Sequence, residues 1–367
     1  MNRNLLFATV VSALGSFLFG FDTAVISGTT KFISQFFGLT DATLGITVSM
    51  ALWGTVVGSI IVGKPGDIWG RRAMLLITGA AYFVSAIGSA LATGWYTLLI
   101  FRFLGGIAIG AASVMAPMYI AEIAPGRMRG RLVAVSQFNI VIGILVAFFS
   151  NYLLVGVGPD NWRWMFGVMA VPAAAFFGLL FIVPESPRWL MKMGRSDTAK
   201  SVLENVGAEN VESELDDIAR SLKEEHGTTK LLQKKYSFVI WSAVLLAFFA
   251  QMSGINVIMY YAPMIFEKAG ASTGAAMLEA IAVGVTNLIF TILAMFFIDR
   301  IGRRPLLMIG AVGMFISLAG AALHYYDGNL VGDMAMVACI VGFVAFFAFS
   351  QGAVIWVFLS EIFPNKI

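Results

Sequence analysis

Ten stretches of this chain are each long and apolar enough to cross a bilayer, and nothing else in the sequence limits its fold so strongly. A spanning helix needs about 20 mostly apolar residues. Runs of that kind occupy roughly 5–27, 44–62, 74–92, 96–120, 132–155, 165–183, 238–266, 280–298, 305–325 and 334–359. Inside lipid a segment must satisfy its own backbone hydrogen bonds, and at this length the solution is a helix. Composition agrees. Residues are 59% hydrophobic and 12% charged, where a soluble domain carries about a quarter charged residues. An all-α membrane protein is therefore expected.

The first run follows Arg3, as the apolar core of a signal peptide would. It is longer than such a core and has no small-residue cleavage site, so it is taken as the first span. The net charge of +3 gives no basis for a nucleic-acid partner. A single cysteine, Cys339, excludes an intramolecular disulfide, and His226 and His324 lie far apart, so neither a metal centre nor a cofactor is expected. With no phosphate-binding glycine loop and no nucleophile–base set, ATP-driven transport and catalysis both lack support.

The loops set the orientation. Those after spans 2, 4 and 8 hold Lys64, Arg71, Arg72, Arg127, Arg129, Arg131, Arg300, Arg303 and Arg304, whereas the opposite short loops hold Lys31, Arg163 and Lys268. The positive-inside rule then puts the N-terminus and the basic loops in the cytoplasm. The one long polar segment, 184–236, is expected to form two or three short cytoplasmic helices, closed by Gly207 and Gly227, as a solvated connector. It separates an N-terminal half, 1–183, from a C-terminal half, 237–367.

The halves repeat each other. Asp67-x-x-Gly70-Arg71-Arg72 returns as Asp299-x-x-Gly302-Arg303-Arg304. Gly20-Phe21-Asp22 returns as Gly254-Ile255-Asn256, and Glu122-Ile123-Ala124-Pro125 as Glu361-Ile362-Phe363-Pro364. Three matches at nearly constant offset mark parallel repeats, a transporter signature with the substrate between the halves. The same alignment predicts two spans beyond Ile367, so that only ten of twelve are present here.

Two charges fall inside spans, Asp22 and Arg102. Each costs roughly 2.5–3.5 kcal/mol at a helix centre, so a partner is required. Both lie at similar depth, which pairs them. The pair is either a static clamp between spans 1 and 4 or a proton site, in which protonation of Asp22 releases Arg102 and favours another conformation. Span 7 carries Gln251, Asn256, Tyr260 and Tyr261 around the helix-weakening Gly254 and Pro263. Amides and tyrosines suit a neutral polyhydroxyl ligand, although they also serve as interhelical glue. Gln137 and Asn139 in span 5, Asn287 in span 8 and Trp356 in span 10 are further candidates for that cavity, with an interfacial anchor as the other reading of Trp356. The acid-containing loops 67–72 and 299–304 are either topology signals or charge networks closing the cytoplasmic side.

These residues resemble the sugar porter family of the major facilitator superfamily. The resemblance rests on Gly20-Phe21-Asp22-Thr23, Gly66-Asp67-Ile68-Trp69-Gly70-Arg71-Arg72, Arg102-Phe103-Leu104-Gly105-Gly106 and Arg129-Gly130-Arg131. It continues through Pro184-Glu185-Ser186-Pro187-Arg188, the run from Gln251 to Pro263, and Ser360-Glu361-Ile362-Phe363-Pro364. It implies the major facilitator fold, with two six-helix halves working by alternating access. It implies a sugar cavity lined by Phe19, Gln137, Gln251, Asn256, Asn287 and Trp356, to which the reading of span 7 adds Tyr260, and proton coupling through Asp22 and Arg102. The cytoplasmic network would comprise Asp67, Arg71, Arg72, Glu122, Arg129, Glu185, Arg188, Asp299, Arg303, Arg304 and Glu361. Three positions depart from the pattern. Ala250 stands where a second glutamine is usual, Ala353 where a proline follows the glycine, and Ile144 where some xylose-type relatives carry glutamine.

The expected activity is sugar:proton symport of a hexose or pentose by a monomer in the cytoplasmic membrane. A facilitative uniporter and a non-transporting sugar receptor are the alternatives.

Overall fold

The computed structural model describes residues 2–125, 128–208, 210–225, 237–327 and 333–362, and every regular element among them is helical. Ten helices or helix pairs among the described residues are long and apolar enough to cross a membrane. They fall into two compact units, Met1–Gly227 and Thr228–Ile367.

In the first unit the spans are α1 (Arg3–Phe37), α2 (Asp41–Ile61), α4 (Arg71–Ala90), α5 (Trp95–Ile123) and α6 (Arg129–Leu154), with a sixth made of α7 (Asn161–Gly167) and α8 (Ala170–Leu179). The short α3 (Gly63–Trp69) fills the loop between α2 and α4. Helix starts follow local chemistry. Asn2 and Thr40 place side-chain oxygens on the free amides of Asn4 and Thr43, and Gly38 closes α1 in the left-handed conformation. With no hydrophobic drive between helices in lipid, close backbone approach must do the work. A Cβ at Gly20 of α1 would strike the Ile140 carbonyl of α6, and one at Gly106 of α5 would strike the Ala51 carbonyl of α2. Those two contacts hold α1 on α6 and α2 on α5.

The connector packs on itself through one apolar face and is tied to the start of α1, while many of its residues stay exposed. Helices α9 (Pro187–Lys192), α10 (Ser196–Val206) and α11 (Val211–Glu225) belong to the first unit. They bury Leu190, Ala199 and Val202 against Trp189, Met191 and Leu215. Asn4 Nδ2 donates to the Asn205 carbonyl at 3.1 Å, tying α10 to the start of α1. The apolar face that drives this is one side of an otherwise charged segment, which a count of polar residues conceals.

In the second unit, span 7 is broken into α12 (Ser237–Met252) and α13 (Ile255–Lys268), and Gly254 sits between them at φ 89°. Spans 8 and 9 are α14 (Thr273–Ile301) and α15 (Arg303–Asp327). Span 10 runs through α16 (Asp333–Phe347), a π-helical turn at Ala348–Gly352 and α17 (Ala353–Ile362). The break in span 7 follows from Gly254, as expected from the sequence. The π turn ends at Gly352, so the helix widens there without a proline.

The internal repeat survives in the backbone. Gly70 and Gly302, at matching places in the two loops, have φ/ψ of 99°/160° and 90°/162°. That region is open only to glycine. Each starts the next span at an arginine, and in each copy the arginine donates to the carbonyl five residues before it. Arg71 Nη1 reaches Gly66 O at 2.8 Å, and Arg303 Nη1 reaches Ile298 O at 3.2 Å.

Candidate functional site

Asp22 on α1 and Arg102 on α5 meet inside the first unit as a two-pronged ion pair. Arg102 Nη1 donates to Asp22 Oδ1 at 2.5 Å and Nη2 donates to Oδ2 at 3.0 Å. Asp22 is 2% exposed and Arg102 1%, so water screens neither. The Phe166 ring of α7 lies against the guanidinium at 5.3 Å. A pair this deep costs desolvation energy, and truncating either partner would leave an uncompensated charge. Ser85 Oγ of α4 donates to the Phe101 carbonyl at 2.7 Å, fixing α4 and α5 one residue from Arg102. The fully buried Tyr82 lies one turn earlier on α4. Neither Phe166 nor Tyr82 was foreseen. Aromatic residues in apolar runs carry no signal of which charge they will face.

A second cluster forms where α3, α4, α5 and α9 meet at the end bearing the basic loops. Arg71 Nε donates to both Glu122 oxygens, at 3.1 and 3.0 Å, and its Nη1 donates to Asp67 Oδ1 at 2.8 Å. The Pro184-Glu185-Ser186-Pro187-Arg188 stretch explains itself here, residue by residue. The Pro184 carbonyl accepts from Tyr119 Oη at 2.7 Å. Glu185 Oε1 accepts from the backbone amides of Arg71, Arg72 and Ser186 at 3.0, 3.1 and 2.8 Å. A glutamate from 114 residues away thus caps the free N–H groups of α4, where the helix dipole also favours negative charge. Ser186 accepts from Trp189 N as the N-cap of α9, Pro187 takes its first turn, and Ser186 Oγ donates to Glu122 Oε2 at 2.5 Å. Burial pushes the Glu185 carboxyl above its ordinary range, and this outweighs the three amide bonds that favour its ionised form.

Not every expected member joins this cluster. The Arg72 side chain turns away, donating to the Leu180 and Phe181 carbonyls at 2.9 and 2.6 Å and closing the frayed end of span 6. Arg188 lines a cavity of about 320 Å³ with Asp67, Arg71, Trp189, Lys192 and Leu222. Lys192 lies 3.7 Å from Asp67. Ser186, Trp189 and Lys192 were missed, because their partners are on α3 and α5.

In the second unit Asn256 Nδ2 donates to Gln251 Oε1 at 2.8 Å across the Gly254 break. Gln251 is exposed and Asn256 half-buried, whereas Tyr260 and Asn287 are buried. Arg303 closes the end of α14, as above, and Arg304 is exposed. In the first unit Phe19 and Gln137 are half-buried on α1 and α6, and Asn139 Nδ2 donates to the carbonyl of Val135 in its own helix. The side chains of Arg129, Asp299, Trp356 and Glu361 lie outside the described residues.

The family model described as "Sugar (and other) transporter" matches residues 8–367. The D-xylose-proton symporter of Escherichia coli K12 is 38% identical over 400 residues, covering 100% of this chain and 81% of that protein. The arabinose-proton symporter of Bacillus subtilis is 38% identical over 369 residues, covering 97% of this chain and 78% of its own length. Among solved structures, a partially occluded inward-open form of the E. coli xylose transporter superposes with a TM-score of 0.88 at 36% identity, covering 98% of this chain and 88% of that one. The same symporter bound to 6-bromo-6-deoxy-D-glucose superposes with a TM-score of 0.85 at 38% identity, covering 99% and 83%.

Proposed function

Because the chain belongs to the sugar porter family of the major facilitator superfamily, we propose that it imports a monosaccharide, a hexose or a pentose, in symport with a proton. The observation that carries the proton half is the buried Asp22–Arg102 pair. A passive carrier has no need of an ionisable acid at that depth, and such residues mark proton relays in membranes. Similarity to xylose- and arabinose-proton symporters supports the substrate class.

The chemistry follows from the contacts. With Asp22 ionised, both its oxygens are held by Arg102 and α1 is clamped to α5. A proton arriving at Asp22 cancels the negative charge and removes the Coulomb attraction, while Arg102 keeps its charge and must find other acceptors. The two protonation states therefore prefer different packings of α1 on α5, which is what coupling to alternating access requires. Phe19, Gln137, Gln251, Asn256, Tyr260, Asn287 and Trp356 are assigned to the sugar. Amide groups suit hydroxyls because each offers donors and an acceptor, and the aromatic faces suit the apolar side of the ring. The Gly254 break supports this, since it leaves backbone groups of span 7 free of the helical ladder.

Asp67, Arg71, Arg72, Glu122, Arg129, Glu185 and Arg188, with Asp299, Arg303, Arg304 and Glu361 of the second copy, are assigned to holding the cytoplasmic side. In this orientation the N-terminus and the basic loops are cytoplasmic, and the protein works as a monomer in the cytoplasmic membrane. Uptake of labelled monosaccharides into proteoliposomes, with and without an inward proton gradient, tests the proposal. Gradient-stimulated accumulation is expected for at least one sugar. Uptake that ignores the gradient would make the protein a uniporter, and binding without uptake a receptor.

A further inference from the structure

We propose that Asn151 of α6 is a positioning residue of the proton site, holding α1 by two carbonyls just past Asp22 so that the Asp22 carboxyl stays square to Arg102. This rests on the reading of Asp22 as the proton acceptor.

Three observations carry it. First, Asn151 is fully buried on α6, and its Nδ2 donates to the Ala24 and Val25 carbonyls of α1 at 3.3 and 3.2 Å. The amide nitrogen has two protons, so each carbonyl can take one. The two carbonyls belong to the second and third residues after Asp22, and they point about 100° apart around the helix axis. A group bonded to both fixes the rotation of α1 as well as its height. Second, the sequence makes room for this approach. A Cβ at Gly28 would strike the Asn151 side chain, so α1 leaves a notch that the amide fills. Third, α1 is soft at this level. Ser27, Thr29 and Thr30 turn their hydroxyls back on the carbonyls of Ala24, Ile26 and Ser27 at 2.6, 2.8 and 3.0 Å, and bonds of that kind favour bending.

The two sides of α1 then have different tasks. Gly20 and Gly28 face α6, whereas Asp22, about 200° round the helix from Gly20, faces Arg102 of α5. The close approaches at Gly20 and Gly143 are smooth, and they let the backbones touch without keying α1 in rotation. Asn151 supplies the key. A two-pronged pair needs the carboxylate and guanidinium aligned, so a turn of α1 loosens it. The other charged and titratable groups on these helices are placed elsewhere. Arg163 of α7 is spent on the Ala90 and Ala92 carbonyls, and Arg71 and Arg72 are bonded at the start of α4. Glu122 of α5 is held by Arg71, Asp41 opens α2, and Lys31 is nine residues further along α1. Asp197, Lys200 and Glu204 belong to α10, which meets α1 at Asn4. On α6, Arg129 and Arg131 lie in the first turn and Tyr152 is exposed, and α8 has no charged residue. Tyr82 of α4 is a phenol, which ordinarily ionises only near about pH 10.

Asn151→Leu roughly keeps the volume and removes the donor. A loosened pair holds the ionised acid less firmly, so protonation needs less acid. In proteoliposomes the pH profile of sugar uptake is expected to move to more alkaline pH, by roughly 0.5–1 on the pH scale. Sugar exchange at saturating acidity should be retained, which also shows that the variant is folded. Asn151→Ser is smaller and cannot reach both carbonyls, so it should give the same shift and serves if the leucine variant does not fold. Gly28→Ala pushes the amide away without altering it and should move the profile in the same direction. Ser150→Ala is the control, because Ser150 donates to the Ala147 carbonyl of its own helix. Its profile should match the wild type. Asp22→Asn should flatten the profile, and adding Asn151→Leu to it should change nothing. Asn151 variants that superpose on the wild type or move to acidic pH, while Asp22→Asn is flat, overturn the role of Asn151 alone. An equal shift in Ser150→Ala overturns it as a packing effect. A pH-responsive Asp22→Asn overturns both readings together.

Discussion

At the scale of single residues, the same Arg102 that neutralises Asp22 would be a buried liability without it. Arg102→Ala is expected to destabilise the detergent-solubilised protein by about 3–5 kcal/mol, because Asp22 is then left buried without its partner. Unfolding midpoints measured near neutral pH check this, and most of the loss should disappear in the double variant with Asp22→Asn. Glu185 gives a separate pH signature outside the spans. Its carboxyl is held above its ordinary 4.5 by burial. A raised value means that the folded state binds the proton more tightly than the unfolded state. Its contribution to stability is therefore complete below the ordinary value, and it is lost as pH rises through the raised one. Glu185→Gln should remove that segment of pH dependence while keeping an acceptor for the amides of Arg71 and Arg72. Melting temperature against pH, taken as wild type minus variant, should fall through that window. A difference that is flat or rising contradicts the assignment. Asp22 and Arg102 were legible in the sequence because a charge within an apolar run has few explanations. The burial of Tyr82 was not, because a tyrosine there looks like packing, and only the fold shows that its hydroxyl lacks a partner among the described residues.

At the scale of elements, the loop between α2 and α4 is a device that needs its glycine. Gly70 combines positive φ with a Cβ site pointing into the Glu185 carboxylate and the Trp189 ring. Gly70→Ala is expected to cost about 1–3 kcal/mol from backbone strain alone, and more if Glu185 is pushed off the α4 terminus. Ser186→Ala should cost about 0.5–2 kcal/mol as a lost N-cap of α9, and it also strips Glu122 of one donor. Thermal unfolding in detergent reads both, and a neutral Gly70→Ala would contradict the capping geometry. Span positions were readable from hydropathy because lipid demands a continuous apolar stretch. The long-range cap of α4 was not, since the sequence separates Glu185 from Arg71 by most of four spans. The docking of α9, α10 and α11 escaped notice for a related reason. Leu190, Ala199 and Val202 form a small core only once three short helices come together, and each helix alone looks solvated.

For the whole molecule, the repeat is the feature that ties sequence to mechanism. It was visible as three matching motifs, and it persists as matching backbone angles at Gly70 and Gly302 and matching arginine bonds. It also sets Asp22 against Asn256, an acid in one unit and an amide in the other. On the proposed reading, one copy keeps the ionisable group for the proton, and the other offers neutral groups to the sugar. The most direct test follows proton movement itself. Proteoliposomes loaded with a pH-sensitive dye are given a transported sugar outside, with no imposed gradient. The wild type should acidify the lumen as sugar enters, and Asp22→Asn should exchange sugar with at least about a tenfold smaller proton signal. Sugar entry without acidification in the wild type, or equal acidification in Asp22→Asn, would contradict the account.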